Sequence, residues 1–232
     1  MRSYGQYCPI ARASEILAER WTPLVIRNVM MGADTFTDIA HGVPQMSRSV
    51  LATRLAQLER FGVLVRTPKQ VGRGSRYALT DAGRDLATVL DEFGRWGERW
   101  VEIGPEMTDP GFALWAWCHA QLDTAQLPHE RTVVAFCFPD QPMGNRYYWL
   151  LVDAGDAEVC YSDPGGEPAA EVVADSTAFI AWHRGQLPWS RALATGRIRI
   201  AGDRSVTAVL PRWNRRTDVP FSPPTTANAP AR

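Results

Sequence analysis

The sequence predicts two unlike domains: a mainly α-helical first hundred residues that include a two-stranded hairpin, and an α+β second half. Three observations carry this. Apolar residues recur at helical spacing from Leu17 to Leu58 and again from Leu86 to Trp100, punctuated by capping residues and glycines. After Thr132, short β-prone runs alternate with Gly-Asn and Gly-Asp turns. Between the two regions, Gly104-Pro105 and Asp109-Pro110-Gly111 place helix-breaking dipeptides close together. The expected boundaries are 1–103 and 112–216, and the Pro-, Thr- and Ala-rich stretch 217–232 reads as a disordered tail.

In the first domain, one helix is expected to end near Arg20. A second starts with Thr22 as N-cap and Pro23 at N1, and stops at Gly32. Asp34 or Thr35 caps a short helix through Phe36, Ile39 and Ala40, closed by Gly42. Val43 to Met46 is a turn, and Ser47 caps a longer helix whose inner face is Leu51, Leu55 and Leu58. That helix stops at Phe61-Gly62. Val63–Arg66 and Arg76–Leu79 read as paired strands around a Gly-containing loop, and Thr80-Asp81 caps a last helix running to Trp100. A short helix, a tight turn, a longer helix and a basic-tipped hairpin is the order of a winged helix-turn-helix.

Charge follows that order. The chain is neutral overall, yet residues 1–100 carry 14 Lys+Arg against 10 Asp+Glu. From Val43 to Thr80, Arg48, Arg54, Arg60, Arg66, Lys69, Arg73 and Arg76 face the single acid Glu59. A basic segment is what a polyanion binder needs, although an ordinary solvated face has the same composition. With the three leucines turned inward, the outward set of the longer helix is Arg48, Ser49, Ala52 and Thr53, preceded by Gln45. Arg48 suits guanine, Gln45 suits adenine, and Ser49 and Thr53 suit a base or a phosphate. Ser47 reads first as a cap. Lys69, Arg73 and Arg76 on the hairpin are placed for phosphates or the minor groove.

These pieces resemble the HxlR-type winged-helix regulators of bacteria over roughly Tyr7 to Trp100. The likeness rests on Cys8-Pro9-Ile10, Leu17 through Arg27, Phe36-Thr37-Asp38-Ile39, Ser47 through Glu59, Tyr77 through Gly83 and Trp96-Gly97. The resemblance implies a homodimer built from the first and last helices of the domain, reading a pseudo-palindromic duplex. Repression is the expected sign because a dimer seated on a promoter blocks polymerase with no further contacts. The last helix agrees from its own residues, since its aromatic surface exceeds what a small domain buries alone. Cys8 matches a position that some members use for redox sensing; an inert, core-facing thiol is the alternative reading.

In the second half, Phe112 opens an apolar helix ending near Pro128. Thr132–Phe138, Tyr147–Val152 and Glu158–Tyr161 read as strands, followed by a helix capped at Asp175-Ser176 and broken at Gly185. Ser190–Ala194 reads as another helical turn. Arg197–Ile200 and Val206–Leu210 read as strands about Gly202-Asp203. The expected architecture is an α+β sandwich with helices on one face of a sheet. Ala174 through Gly185 and Ala192 through Asp203 resemble the sterol-carrier-protein (SCP2-like) type of lipid-binding domain. That resemblance implies an apolar tunnel for a hydrophobic effector, with Trp115, Phe136, Trp149, Phe179, Trp182 and Trp189 as candidate lining; plain core packing is the alternative for each.

Other classes find little support. Gly72-Arg73-Gly74 lacks a strand-then-helix setting, no Walker-type Gly-Lys-Ser/Thr occurs, and the four histidines show no paired metal spacing. No enzyme activity, cofactor or metal is expected. No run of 18 apolar residues suggests a membrane span, no secretory signal opens the sequence, and four scattered cysteines fit a reducing cytoplasm. The rival expectations are a lipid-binding or interaction protein whose winged helix serves dimerisation, and a cryptic enzyme in the second half.

Overall fold

The computed structural model describes residues 3–70, 73–102, 104 and 107–215. The stretch read as a tail, 217–232, lies outside the described residues, as does most of the Gly104-Pro105 seam's surroundings at 103, 105 and 106. The chain divides into two compact units, Met1–Val101 and Glu102–Arg232.

The first unit contains α1 (Pro9–Leu17), α2 (Thr22–Met30), α3 (Phe36–His41), α4 (Arg48–Arg60), β1 (Leu64–Pro68), β2 (Ser75–Leu79) and α5 (Asp81–Trp100). Three of the helices start at a side-chain cap. Thr35 and Ser47 accept the backbone N–H groups of Asp38 and Val50, and Thr80 accepts that of Gly83. Gly83 also has no room for a side chain, because a Cβ there would sit 2.2 Å from the Val63 carbonyl oxygen. This close approach seats α5 against the start of the hairpin. The core is a single layer of Val25, Ile26, Val29, Ile39, Leu51, Leu55, Leu58, Leu64 and Tyr77, all buried.

Two local expectations shift. The first helix ends at Leu17 rather than near Arg20. Thr22 lies inside α2, and Trp21 occupies the N-cap position with φ 77, so no side chain caps that helix. The Thr22 hydroxyl is instead buried without a hydrogen-bond partner. The Arg20 guanidinium lies over the half-buried Trp21 ring, 5.0 Å from its centre.

The second unit contains α6 (Pro110–Ala116), β3 (Thr132–Cys137), β4 (Tyr147–Asp153), β5 (Asp156–Cys160), β6 (Ala170–Ala174), α7 (Ser176–His183), α8 (Trp189–Ala194), β7 (Ile198–Gly202) and α9 (Arg204–Thr207). Its five-stranded sheet has the order β5-β4-β3-β6-β7. β3, β4 and β5 form an antiparallel meander; the chain then crosses to the other side of β3, where β6 pairs with it in parallel. The β4–β5 turn uses two left-handed residues, Ala154 (φ 52) and Gly155 (φ 82), as a two-residue hairpin requires.

Register decides which face is core. Val134 pairs with Leu150, Phe136 with Tyr148 and Val172 with Ile200, so these side chains share one face. Trp117, Phe179 and Trp182 pack there as a cluster of edge-on and tilted rings, with Trp117 and Trp182 centroids 5.3 Å apart.

Three expectations are corrected. Val206–Leu210 is no strand: Asp203 accepts the Ser205 N–H and turns the chain into α9, followed by a 3-10 turn at Leu210–Trp213. The helix opened at Pro110 widens into a π-helical turn at Trp117–Gln121, and Leu122 then bridges to Asn214, so it never reaches Pro128. Finally, the sheet gains β6, a strand absent from the sequence reading. Its five residues, Ala-Glu-Val-Val-Ala, are too few to show a period until the parallel partner β3 is in place.

Candidate nucleic-acid interface

The first unit presents α4 as its polar helix. Leu51, Leu55 and Leu58 are buried, while Arg48, Ser49, Ala52, Thr53 and Ala56 are exposed and form one continuous stripe. Gln45 and Ser47 are exposed just before it. Ser47 does act as the cap; its hydroxyl also lies 3.2 Å from that of Ser49. Thr53 donates its hydroxyl to the Ser49 carbonyl at 3.0 Å, leaving its lone pairs outward. The Arg48 guanidinium lies 4.9 Å from the centre of the Phe36 ring, so α3 braces it from below. Ala56 extends the low, groove-compatible face by one turn; its helical spacing from Ala52 was the available signal.

The wing is a five-rung antiparallel ladder from Leu64↔Leu79 to Pro68↔Ser75. Lys69 is half-buried and Arg73 exposed; Val71 and Gly72 lie outside the described residues. Arg76 sits one rung from the loop end of the ladder, opposite Thr67, and is paired with Asp34. Tyr77 donates its N–H to the Asp34 carbonyl, and Thr35 bridges to Arg76, so the segment before α3 acts as a short third strand. Arg66, exposed and bonded to the Ser75 hydroxyl at 2.8 Å, is an additional wing cation that sequence spacing alone did not single out.

Beneath this surface a buried polar knot holds the helix-turn-helix. Asn28 is fully buried and donates from Nδ2 to the Ile39 carbonyl at 2.9 Å. Arg27 donates from Nη2 to the Gly42 carbonyl at 2.9 Å and to Asn28 Oδ1 at 2.8 Å. Carbonyls at a helix C-terminus have no partner within the helix, and here a half-buried cation and a buried amide supply partners. Burial pulls the Arg27 guanidinium down to about 10, which still leaves it cationic at neutral pH. A side chain on Gly42 would meet the Asn28 amide at 2.5 Å, so only glycine lets this carbonyl come so close.

Cys8 is a half-buried free thiol at the N-cap position of α1. In the second unit, Phe136, Phe179 and Trp182 meet in the ring cluster, and Trp189 joins its edge, 4.8 Å from Trp182. Trp115 is buried on α6 between Phe112 and His119. The register does not bring Trp149 to them: it pairs with Ala135 and Cys160, on the opposite face of the sheet. A cavity of about 330 Å³ opens elsewhere, walled by Met107, Phe112, Ala113 and Ile180, with Asp109, His183 and Arg184 at its polar side. Among the described residues no cluster of three or more His, Cys, Asp or Glu is placed to hold a metal, and no helix is long and apolar enough to cross a membrane.

A short helix, a tight turn, a polar-faced second helix and a basic hairpin together define a DNA-binding transcription regulator of the winged helix-turn-helix class. The chain belongs to the HxlR-like helix-turn-helix family, whose model matches residues 16–104. It is 34% identical over 104 residues to the transcriptional regulator YvaP of Bacillus subtilis strain 168, covering 42% of this chain and 93% of YvaP. It is 33% identical over 103 residues to YodB of the same strain, covering 42% of this chain and 88% of that protein. The structure of reduced YodB from B. subtilis aligns at 30% identity with a TM-score of 0.37, over 43% of this chain and 99% of YodB.

The knot yields a prediction. Asn28→Ala strands the buried Ile39 carbonyl and removes an acceptor from Arg27, and is expected to cost about 1–3 kcal/mol of stability. Urea denaturation followed by far-UV circular dichroism measures this; an unchanged first transition would mean the turn is held without the amide.

Proposed function

We propose that this chain is a homodimeric repressor that binds a pseudo-palindromic double-stranded DNA site through the exposed face of α4. The observation that carries the reading is that face itself: Arg48, Ser49, Ala52 and Thr53 stand together and exposed, with Gln45 preceding them, and Ala52 keeps the stripe low. Lys69 and Arg73, with Arg66, supply cations for phosphates along the wing.

Support for the dimer comes from α5. Val89, Phe93, Trp96 and Trp100 are spaced by four, three and four residues, and all are at least half exposed. Such a stripe is costly in water and matches the seam of a two-fold helix pair. Tyr7 and Ile10 at the start of α1 are also exposed. A repressor needs only to occupy promoter DNA to block polymerase, which is why repression is the simpler sign.

We further propose that the second unit takes a small apolar effector. The cavity walled by Met107, Phe112, Ala113 and Ile180 supports this better than the tryptophan cluster, where rings fill the space between helices and sheet.

Each part has a measurement. On a duplex enriched by the full chain from a randomised pool, Arg48→Ala is expected to lower specific affinity by about tenfold, and Lys69→Ala to flatten the salt dependence by about one phosphate contact. Equal binding of enriched and scrambled duplexes would sink the reading. Trp96→Glu is expected to shift sedimentation from dimer to monomer; a wild-type monomer at micromolar concentration would remove the dimer. Saturating medium-chain fatty acid is expected to raise the melting temperature of the second unit and change affinity for the enriched duplex; no change in either would exclude this effector class.

A further inference from the structure

Arg54 belongs to the basic run on α4, yet it does not join the outward stripe. Its side chain is only 12% exposed and lies along the inner flank of the helix. Nη2 reaches Glu19 Oε2 at 3.3 Å, across 35 residues of sequence, and Nη1 donates to Gln57 Oε1 at 2.7 Å. Nε is buried with no partner. The guanidinium is thus withdrawn from solvent and committed inward on two of its three nitrogens.

Its partner sits at an unusual joint. Glu19 lies between α1 and α2, where its carbonyl accepts the Thr22 N–H at 3.0 Å. Two residues on, Trp21 holds φ 77, a region that bulky residues rarely occupy and that costs about 1–3 kcal/mol. A strained joint persists only where surrounding contacts determine it, and the ion pair is a long-range polar contact at this one.

We propose that Glu19 and Arg54 are a positioning pair: the ion pair fastens the α1–α2 joint to the inner flank of α4 and so fixes the pose in which α4 meets DNA. Arg54 then touches no phosphate, although composition places it among the cations of the interface. This rests on α4 being the reading helix.

The two roles for Arg54 make opposite predictions for Glu19. Removing an acid near a polyanion strengthens binding if electrostatics alone is at work. Removing a positioning partner weakens it. With the full-length chain and the pool-enriched duplex, Glu19→Gln and Arg54→Gln are each expected to weaken specific binding by about threefold to tenfold, with the double variant no worse than the weaker single. The slope of log affinity against log salt is expected to stay at the wild-type value in all three, and binding to scrambled duplex to be unchanged. Thermal melts of the same variants separate this from global destabilisation, which would lower both kinds of binding together. A tighter-binding Glu19→Gln, or a slope reduced by about 0.9 in Arg54→Gln, would mark Arg54 as a phosphate contact and overturn the proposal. Additive losses would overturn it too. If the wild-type chain enriches no duplex, the regulator reading itself fails, a result distinguishable from any of these.

Discussion

The first unit depends on how one helix end is satisfied. α3 is only six residues long, too short to be stable by its own hydrogen bonds, and its terminal carbonyls point into the protein. Arg27 and Asn28 of α2 meet those carbonyls directly, and Gly42 lets the chain pass close enough for them to do so. Burying a guanidinium is expensive, and the cost is offset only because it is hydrogen-bonded to a carbonyl and an amide oxygen. The angle between α3 and α4 therefore follows from a polar knot that leucine packing alone would leave loose. The exposed stripe of α4 inherits its direction from that knot.

The second unit solves a different problem. A five-stranded sheet with one parallel pair needs a crossover, and the chain makes it with the irregular segment between Cys160 and Ala170. Helices then cover the face that register selects. Aromatic rings fill the space beneath them, and three indole N–H groups, those of Trp117, Trp182 and Trp213, are buried there without hydrogen-bond partners. Edge-on rings of Phe136, Phe179 and Trp182 surround Trp117 there.

Much of the first unit was legible from residues because its elements are bounded by local chemistry. Thr35, Ser47 and Thr80 announce helices by capping, and Leu51, Leu55 and Leu58 announce a face by spacing. What escaped was non-local. Nothing near Arg54 marks it as inward-facing, because its partner is Glu19, and nothing near Arg76 ties it to Asp34. Trp21 could not be foreseen as a left-handed residue, since side-chain size argues against it. In the second unit β6 depends on β3, and the segment after Gly202 has strand-like composition but is turned helical by Asp203. Aromatic character cannot tell one sheet face from the other; register alone separates Trp149 from Phe136.

The tryptophans give the molecule a built-in optical readout. Of nine, Trp96 and Trp100 stand exposed on one face of α5, whereas Trp115, Trp117, Trp182 and Trp213 are sealed in the second unit. Indoles in water emit at longer wavelength than indoles in an apolar core, so the two groups contribute to different ends of one emission spectrum. Covering the α5 stripe changes the red end, and loosening the second unit changes the blue. Without any added dye, a single sample reports on each unit by colour.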